Sequence, residues 1–357
     1  MGNSTKKRTI PKARGCTWWA KRLLGGILIL SLGLILSGVL YQAVAMGNDR
    51  THYAPPGELV DVGGYRLHVH CIGTGSPTVI LEAGLGDNWL TWSLVQEEIG
   101  SFTRVCAYDR AGLGWSDSGR GPLQSSQVAE SLHTLLDNAG IQGPYVLVGH
   151  SVGGIHVRSF AHQYPDDVAG MVLVDSSHEN QMLRFPAEIV QFENENLSGL
   201  TRSLTLCRYL APFGVVRILG LTAEIAKDKP FTPEQRQMLV ATLNRTNYCQ
   251  AVRDELEMAM QMEGSQTHPP YDLGDIPLVV LTVPSNSGER NPEDLPSGIT
   301  VEMGRQADKI FMEMQQELAE LSSNGTLVIV EDGGHYIQDD QPGLIIEAVR
   351  QIVASLH

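Results

Sequence analysis

The sequence predicts an α/β fold with a mostly parallel sheet covered by helices on both faces. Two observations carry this. Residues 78–81 (TVIL), 145–148 (YVLV) and 171–175 (MVLVD) are short continuous apolar runs, as strands buried on both sides must be. Helical segments separate such runs, at 128–139 before Gly140 and at 155–164 before Pro165. A third observation concerns layout: between Glu179 and about Pro270 only helix signals appear, so a helical insertion interrupts the alternation.

The elements follow in order. Residues 65–71 alternate like a strand and end in the turn 73–77 (GTGSP). The strand 78–81 runs into the glycine-rich 84–86, and a strand at 103–108 leads into the glycine-punctuated 109–116. The strand 145–148 enters 149–153 (GHSVG) directly. Within the insertion, Thr232, Pro233 and Gln235 form a capping box with proline at the first helical position. Strand 278–283, helix 305–321, strand 327–330 and helix 342–355 complete the chain.

At 357 residues the chain can bury a large core without staples. A net charge of −14 excludes the basic footprint that nucleic acid requires. The charge is uneven, however. Residues 1–22 hold seven basic residues and no acid, and the following 26 residues carry no charge at all. About 20 such residues cross a ~30 Å hydrocarbon core. Two readings compete: an uncleaved single-pass anchor, favoured by the length of the apolar run, or a signal peptide cleaved after Ala43-Val44-Ala45. The first keeps the basic N-terminus cytoplasmic and exports the rest; the second secretes it. The layout is then a basic tail (1–22), an anchor (23–46), a linker (47–59), a core (60–178 and 271–357) and a helical cap (179–270).

Export puts Cys71, Cys106, Cys207 and Cys249 in an oxidising space, where they can form two bridges or stay buried thiols. Cys16 remains on the cytoplasmic side. Asn196, Asn244 and Asn324 begin formal glycosylation sequons. No His/Cys/Asp cluster has metal-ligand spacing.

Gly149-His150-Ser151-Val152-Gly153 lies between a strand and a helix, the context in which a strained turn lifts a serine hydroxyl above a sheet. A serine hydroxyl is a weak nucleophile until a base takes its proton. Of eleven histidines, His335 follows the strand 327–330 on a glycine turn before the last helix, and is the expected base. His178, just past Asp175, is its rival. His150 flanks the serine and is expected to point elsewhere; His68 and His70 share one strand face as surface or packing residues. The oxyanion formed in acyl transfer needs preorganised N–H donors: Val152, and Leu85 in the turn after strand 78–81.

On the turn 84–86, residues 108–116 (YDRAGLGWS), the G-x-S-x-G at Ser151 and Gly334-His335, the chain resembles α/β-hydrolases over about residues 60–355. The resemblance implies an eight-stranded, mostly parallel sheet, a helical cap, a Ser–His–acid triad and no cofactor. It departs at Ala83, where many relatives have histidine, and after strand 278–283, where residues 284–288 (PSNSG) carry no acid. The acid is therefore Glu289, Glu293 or Asp294 in that loop, or Asp175 at the earlier strand end. Some relatives, haloalkane dehalogenases among them, place it at the earlier strand end. Asp175 is the expected acid, because a strand end is more rigid than a loop.

The implied activity is a serine hydrolase cleaving an ester or similar acyl bond of a small, fairly apolar molecule. Cofactor-free haloperoxidase, C–C hydrolase or thioesterase activity with the same triad, and a non-catalytic binding module, are the alternatives. Relatives that hydrolyse epoxides or dehalogenate carry aspartate at the serine position. The resemblance also sets the strand ending at Cys71 beside that containing Cys106, both thiols near the strands' carboxyl ends. This implies the pairs Cys71–Cys106 and Cys207–Cys249. The sequence does not speak to oligomeric state.

Overall fold

The computed structural model describes residues 16–262, 272–284 and 295–357. A first helix, α1 (Cys16–His52), precedes the strands β1 (Glu58–Asp61), β2 (Arg66–Ile72) and β3 (Thr78–Glu82). Then come α2 (Ser93–Gly100), β4 (Val105–Tyr108), α3 (Ser125–Asn138), β5 (Tyr145–His150), α4 (Val152–Gln163) and β6 (Val168–Val174). Six helices follow: α5 (Gln181–Arg184), α6 (Ala187–Leu210), α7 (Val215–Ile218), α8 (Leu221–Lys227), α9 (Pro233–Leu243) and α10 (Tyr248–Met262). The chain closes with β7 (Leu278–Thr282), α11 (Val301–Ala319), β8 (Gly325–Ile329), α12 (Ile337–Asp340) and α13 (Pro342–Ser355).

Eight strands form one sheet in the order β1-β2-β4-β3-β5-β6-β7-β8. The β1–β2 and β2–β4 pairs are antiparallel and the rest parallel. Side chains alternate across a strand, which divides the apolar runs between two layers. Val79, Leu81, Val146, Val148, Val172 and Val174 pack with Ile99 of α2 and Val349 of α13. Ile80, Leu147, Met171 and Leu173 face the other way, against Leu132 of α3 and Phe160 of α4. The unbroken apolar sequence of the central strands follows from this double burial. Because β5, β6, β7 and β8 are parallel, their carboxyl ends share one edge, where sites form on open α/β sheets.

Several expectations change. The chain remains helical to His52, and β1 begins at Glu58, so the expected linker 47–59 shrinks to a few residues around Pro55 and Pro56. Four residues with a single buried side chain, Val60, gave β1 no pattern to read. Cys71 and Cys106 are register partners and disulfide-bonded. Their strands run antiparallel, however, so Cys106 lies near the start of β4 and not near its carboxyl end. Cys207 of α6 is joined to Cys249 of α10. Asn244 is buried, which removes its sequon from the surface. The capping box at Thr232 forms as read, with Gln235 N–H donating to its hydroxyl.

Helix α1 is long and apolar enough to cross a membrane. Its C-terminal part meets the cap: Gln42 Nε2 donates to the Asn244 carbonyl at 2.7 Å, and Arg217 Nη2 lies 2.6 Å from Asp49 Oδ2.

Candidate active site

Ser151 connects β5 to α4 with φ of 55°, a left-handed conformation that a non-glycine residue adopts only when its surroundings enforce it. The glycines two positions either side make this possible. A Cβ on Gly149 would come within 2.7 Å of the Gly153 carbonyl oxygen, and one on Gly153 within 2.5 Å of that of Ala83. The turn is anchored where Ser151 N–H donates to Val174 O, and where the Ser151 carbonyl accepts from Gly154 and Ser177 N–H. Val152 is the first residue of α4, so its N–H is left over from the helix's own hydrogen-bond ladder.

Asp175 directly follows β6, also with a left-handed φ, of 41°. Its N–H donates to Leu281 O at 2.7 Å. Oδ1 accepts from Val283 N–H at 3.1 Å and the Thr282 hydroxyl at 3.2 Å. Oδ2 accepts from His335 Nδ1–H at 2.7 Å. The carboxylate is thus fixed to the end of β7 by one oxygen and aimed at the imidazole by the other. Glu289, Glu293 and Asp294 lie outside the described residues.

Ser151, Asp175 and His335 therefore arise at the carboxyl ends of β5 and β6 and after β8, with Asp175 buried and the His335 side chain half exposed. His178, the rival base, is engaged elsewhere: its Nδ1 accepts from Asn180 N–H, and Nε2 faces Glu317. His150 does not simply turn away. Its Nε2–H donates to the His335 carbonyl at 2.8 Å, and the two rings lie 4.7 Å apart. Burial, then the His335 charge, lowers His150 to about 3 and keeps it neutral.

The turn carrying Leu85 is held by a buried ion network. Arg110 Nη1 donates to Glu82 and to Ala83 O; Nη2 donates to Gly84 O and Glu255. Glu255, from cap helix α10, also accepts from Gly86 N–H at 2.8 Å. Both carbonyls preceding Leu85, and the amide after it, are therefore tied down. Leu85 itself packs against Val152 and Ile155 of α4. Neighbouring Asp109 accepts from the Trp89 and Trp115 amides and pairs with His68 Nδ1 at 2.8 Å. His68 is thus a fully buried ion-pair partner, not a surface residue. Burial alone would lower its pKa, but Asp109 and the Pro56 carbonyl raise it.

Sequence reading missed Arg110 and Glu255, and the contact of His150 with the His335 carbonyl. Arg110 sits within the 108–116 stretch and could have been singled out as a cation beside a glycine turn. Glu255 carries no local signal, since its partners are 145 or more residues away.

A cavity of about 590 Å³ opens beside Asp175 and His335, walled by Phe185 and Ile189 of the cap, Phe311 of α11, and Glu193. It is large enough for a small organic molecule and mixed in polarity. Among the described residues no group of three His, Cys, Asp or Glu side chains could hold a metal ion.

A family model described as "Alpha/beta hydrolase family" matches residues 67–348, and the chain belongs to that family. An epoxide hydrolase, CorEH, superposes with a TM-score of 0.62 at 17% identity, over 84% of this chain and 99% of that one. A thermophilic esterase from Thermogutta terrifontis gives 0.55 at 20% identity, over 85% and 100%. These likenesses establish the fold. An uncharacterized vacuolar membrane protein of Saccharomyces cerevisiae is 34% identical over 138 residues, 34% of this chain and 21% of that one. The chain spans from about a fifth to about half of the length of the first curated relatives it matches.

Proposed function

We propose that the protein is a serine hydrolase that cleaves an ester or similar acyl bond of a small, fairly apolar substrate. The observation that carries this is the 2.7 Å hydrogen bond from His335 Nδ1–H to Asp175, whose other oxygen is locked to β7. It fixes the tautomer that leaves His335 Nε2 free as a base. In the proposed reaction Nε2 takes the Ser151 proton as Oγ attacks the carbonyl. The amides of Leu85 and Val152 stabilise the oxyanion. The imidazolium then protonates the leaving group, and water, deprotonated by the same nitrogen, releases the acyl group from Ser151.

Serine at 151 supports an acyl over an alkyl intermediate. Epoxide opening by a serine would leave an ether, which this base cannot hydrolyse, whereas an aspartate would leave a cleavable ester. Haloperoxidase, C–C hydrolase and thioesterase chemistry would use the same three residues. The test is labelling of the full-length protein with a fluorophosphonate, alongside turnover of ester, thioester and peptide panels. Wild type labels and Ser151→Ala does not. A folded wild type that stays unlabelled and inactive on every panel would be a binding module instead.

The chain is proposed to cross the membrane once through α1, with the basic N-terminus cytoplasmic and the hydrolase exported. Gln42, buried against Asn244, supports retention of the helix, because cleavage after Ala45 would discard that contact. The two disulfides favour an oxidising compartment. Protease protection in intact and opened vesicles tests the orientation.

A further inference from the structure

Four large apolar side chains lie exposed within eight residues of the cap: Ile218, Leu219, Leu221 and Ile225 are 54 to 66% accessible. Nothing in the proposed chemistry uses them. Their position relative to α1 is fixed. The turn preceding α7 touches α1 at Gly38, where a Cβ would lie 2.6 Å from the Phe213 carbonyl oxygen, and Gly214 lies against the Tyr41 ring. Arg217, directly before Ile218, reaches Gln42 at 3.3 Å and Asp49 at 2.6 Å.

These contacts set a depth. The hydrocarbon-spanning stretch starts no earlier than Leu23, because Lys21 and Arg22 precede it. About 20 residues from Leu23 reach Gln42. Gly38 is four residues short of that point, or ~6 Å along the helix axis. The Phe213 turn therefore sits at or just inside the outer hydrocarbon boundary. Tilting α1, or sliding its span toward the charge-free residues up to Asn48, sinks the turn further. Lys227 and Arg236 are exposed in the same region, Lys227 lying 3.7 Å from the exposed Glu224 carboxylate, and both side chains are long enough to reach the headgroup layer.

We infer that the α7–α8 edge of the cap is embedded in the outer boundary of the bilayer, so that lipid is the partner of these four side chains. The inference rests on α1 crossing the membrane.

The test uses the full chain carrying Cys16→Ser, reconstituted in phosphatidylcholine nanodiscs. A nitroxide is placed on Leu219→Cys, with Leu30→Cys and Lys309→Cys as references. Collisions with oxygen report lipid, and collisions with a water-soluble nickel chelate report solvent. Leu219 is expected to match Leu30: high oxygen and at least tenfold lower nickel accessibility than Lys309. A Leu219 label as nickel-accessible as Lys309, with Leu30 in lipid, overturns the inference while leaving the span intact. Shielding from both reagents overturns it too, since a second protein copy would then cover the patch. Nickel access at Leu30 would instead sink the membrane span itself.

Discussion

His150 Nε2–H donates to the backbone carbonyl of His335 at 2.8 Å, joining the residue before the elbow serine to the proposed base. The bond is between a strand end and a glycine-flanked turn, so it anchors the less rigid partner to the more rigid one. Because burial keeps His150 neutral, the contact places no second charge beside His335.

Replacing His150 with leucine keeps the volume and removes the donor. His335 then loses one of its two anchors, and kcat should fall about 10- to 100-fold, the scale of a displacement near 1 Å. His150→Gln, which can donate from the same region, should recover part of the loss. Steady-state kinetics on a substrate found in the ester panel reads this directly. Unchanged kcat in His150→Leu would remove His150 from any positioning role.

Asp175→Asn tests the acid. The amide can no longer accept from Nδ1–H in the same way, and the imidazole can settle in the wrong tautomer. A fall in kcat of about 10⁴ is expected by analogy with serine triads, with the fold retained. Glu289→Gln, Glu293→Gln and Asp294→Asn should each turn over normally. Normal turnover in Asp175→Asn with collapse in one of the loop variants would move the acid to the loop.

Glu255 ties the cap to the turn that carries Leu85. Its carboxylate accepts from both Arg110 and Gly86 N–H, so Glu255→Gln weakens a buried ion pair and loosens the proposed oxyanion donor together. Breaking such a pair by losing one partner costs about 3–5 kcal/mol, moderated here because Arg110 keeps Glu82. Both the melting temperature and kcat should drop, with KM little changed. Loss of stability at full kcat would show that Glu255 holds the cap without positioning the turn.

How much of this was legible depended on how local each cause is. Ser151 and His335 could be read because a strand, a glycine turn and a helix leave a pattern within ten residues. Asp175 could be named only as the stiffer of two options, since what fixes it comes from β7, over 100 residues on. The central strands declared themselves through double burial. β1 did not, because an edge strand with one buried side chain has no hydrophobic period. Arg110 was in view but its partners were not: a guanidinium that serves two carbonyls and two carboxylates is assembled only when cap and core meet.

Asp87 gives a pH prediction with a definite sign. Burial pushes its carboxyl up to about 6, opposed by the charges of Lys229 and Arg110. A folded value above the unfolded one means that the native state holds the proton more tightly. The stabilisation is complete below the unfolded value of about 3.9. It is lost as pH rises through about 6. Above that, relative to acid pH, the native state has lost on the order of 3 kcal/mol at 1.36 kcal/mol per pH unit, because burial outweighs the attraction of Lys229 and Arg110 for the ionised carboxylate. Asp87→Asn replaces the titrating group with a neutral one of the same shape. Urea unfolding of the two proteins between pH 4 and 8 should show the asparagine variant gaining relative stability as pH rises through 4 to 6, then a constant gap. A gap that does not change across that range would mean that Asp87 titrates as an ordinary carboxylate, and that its burial is relieved by solvent.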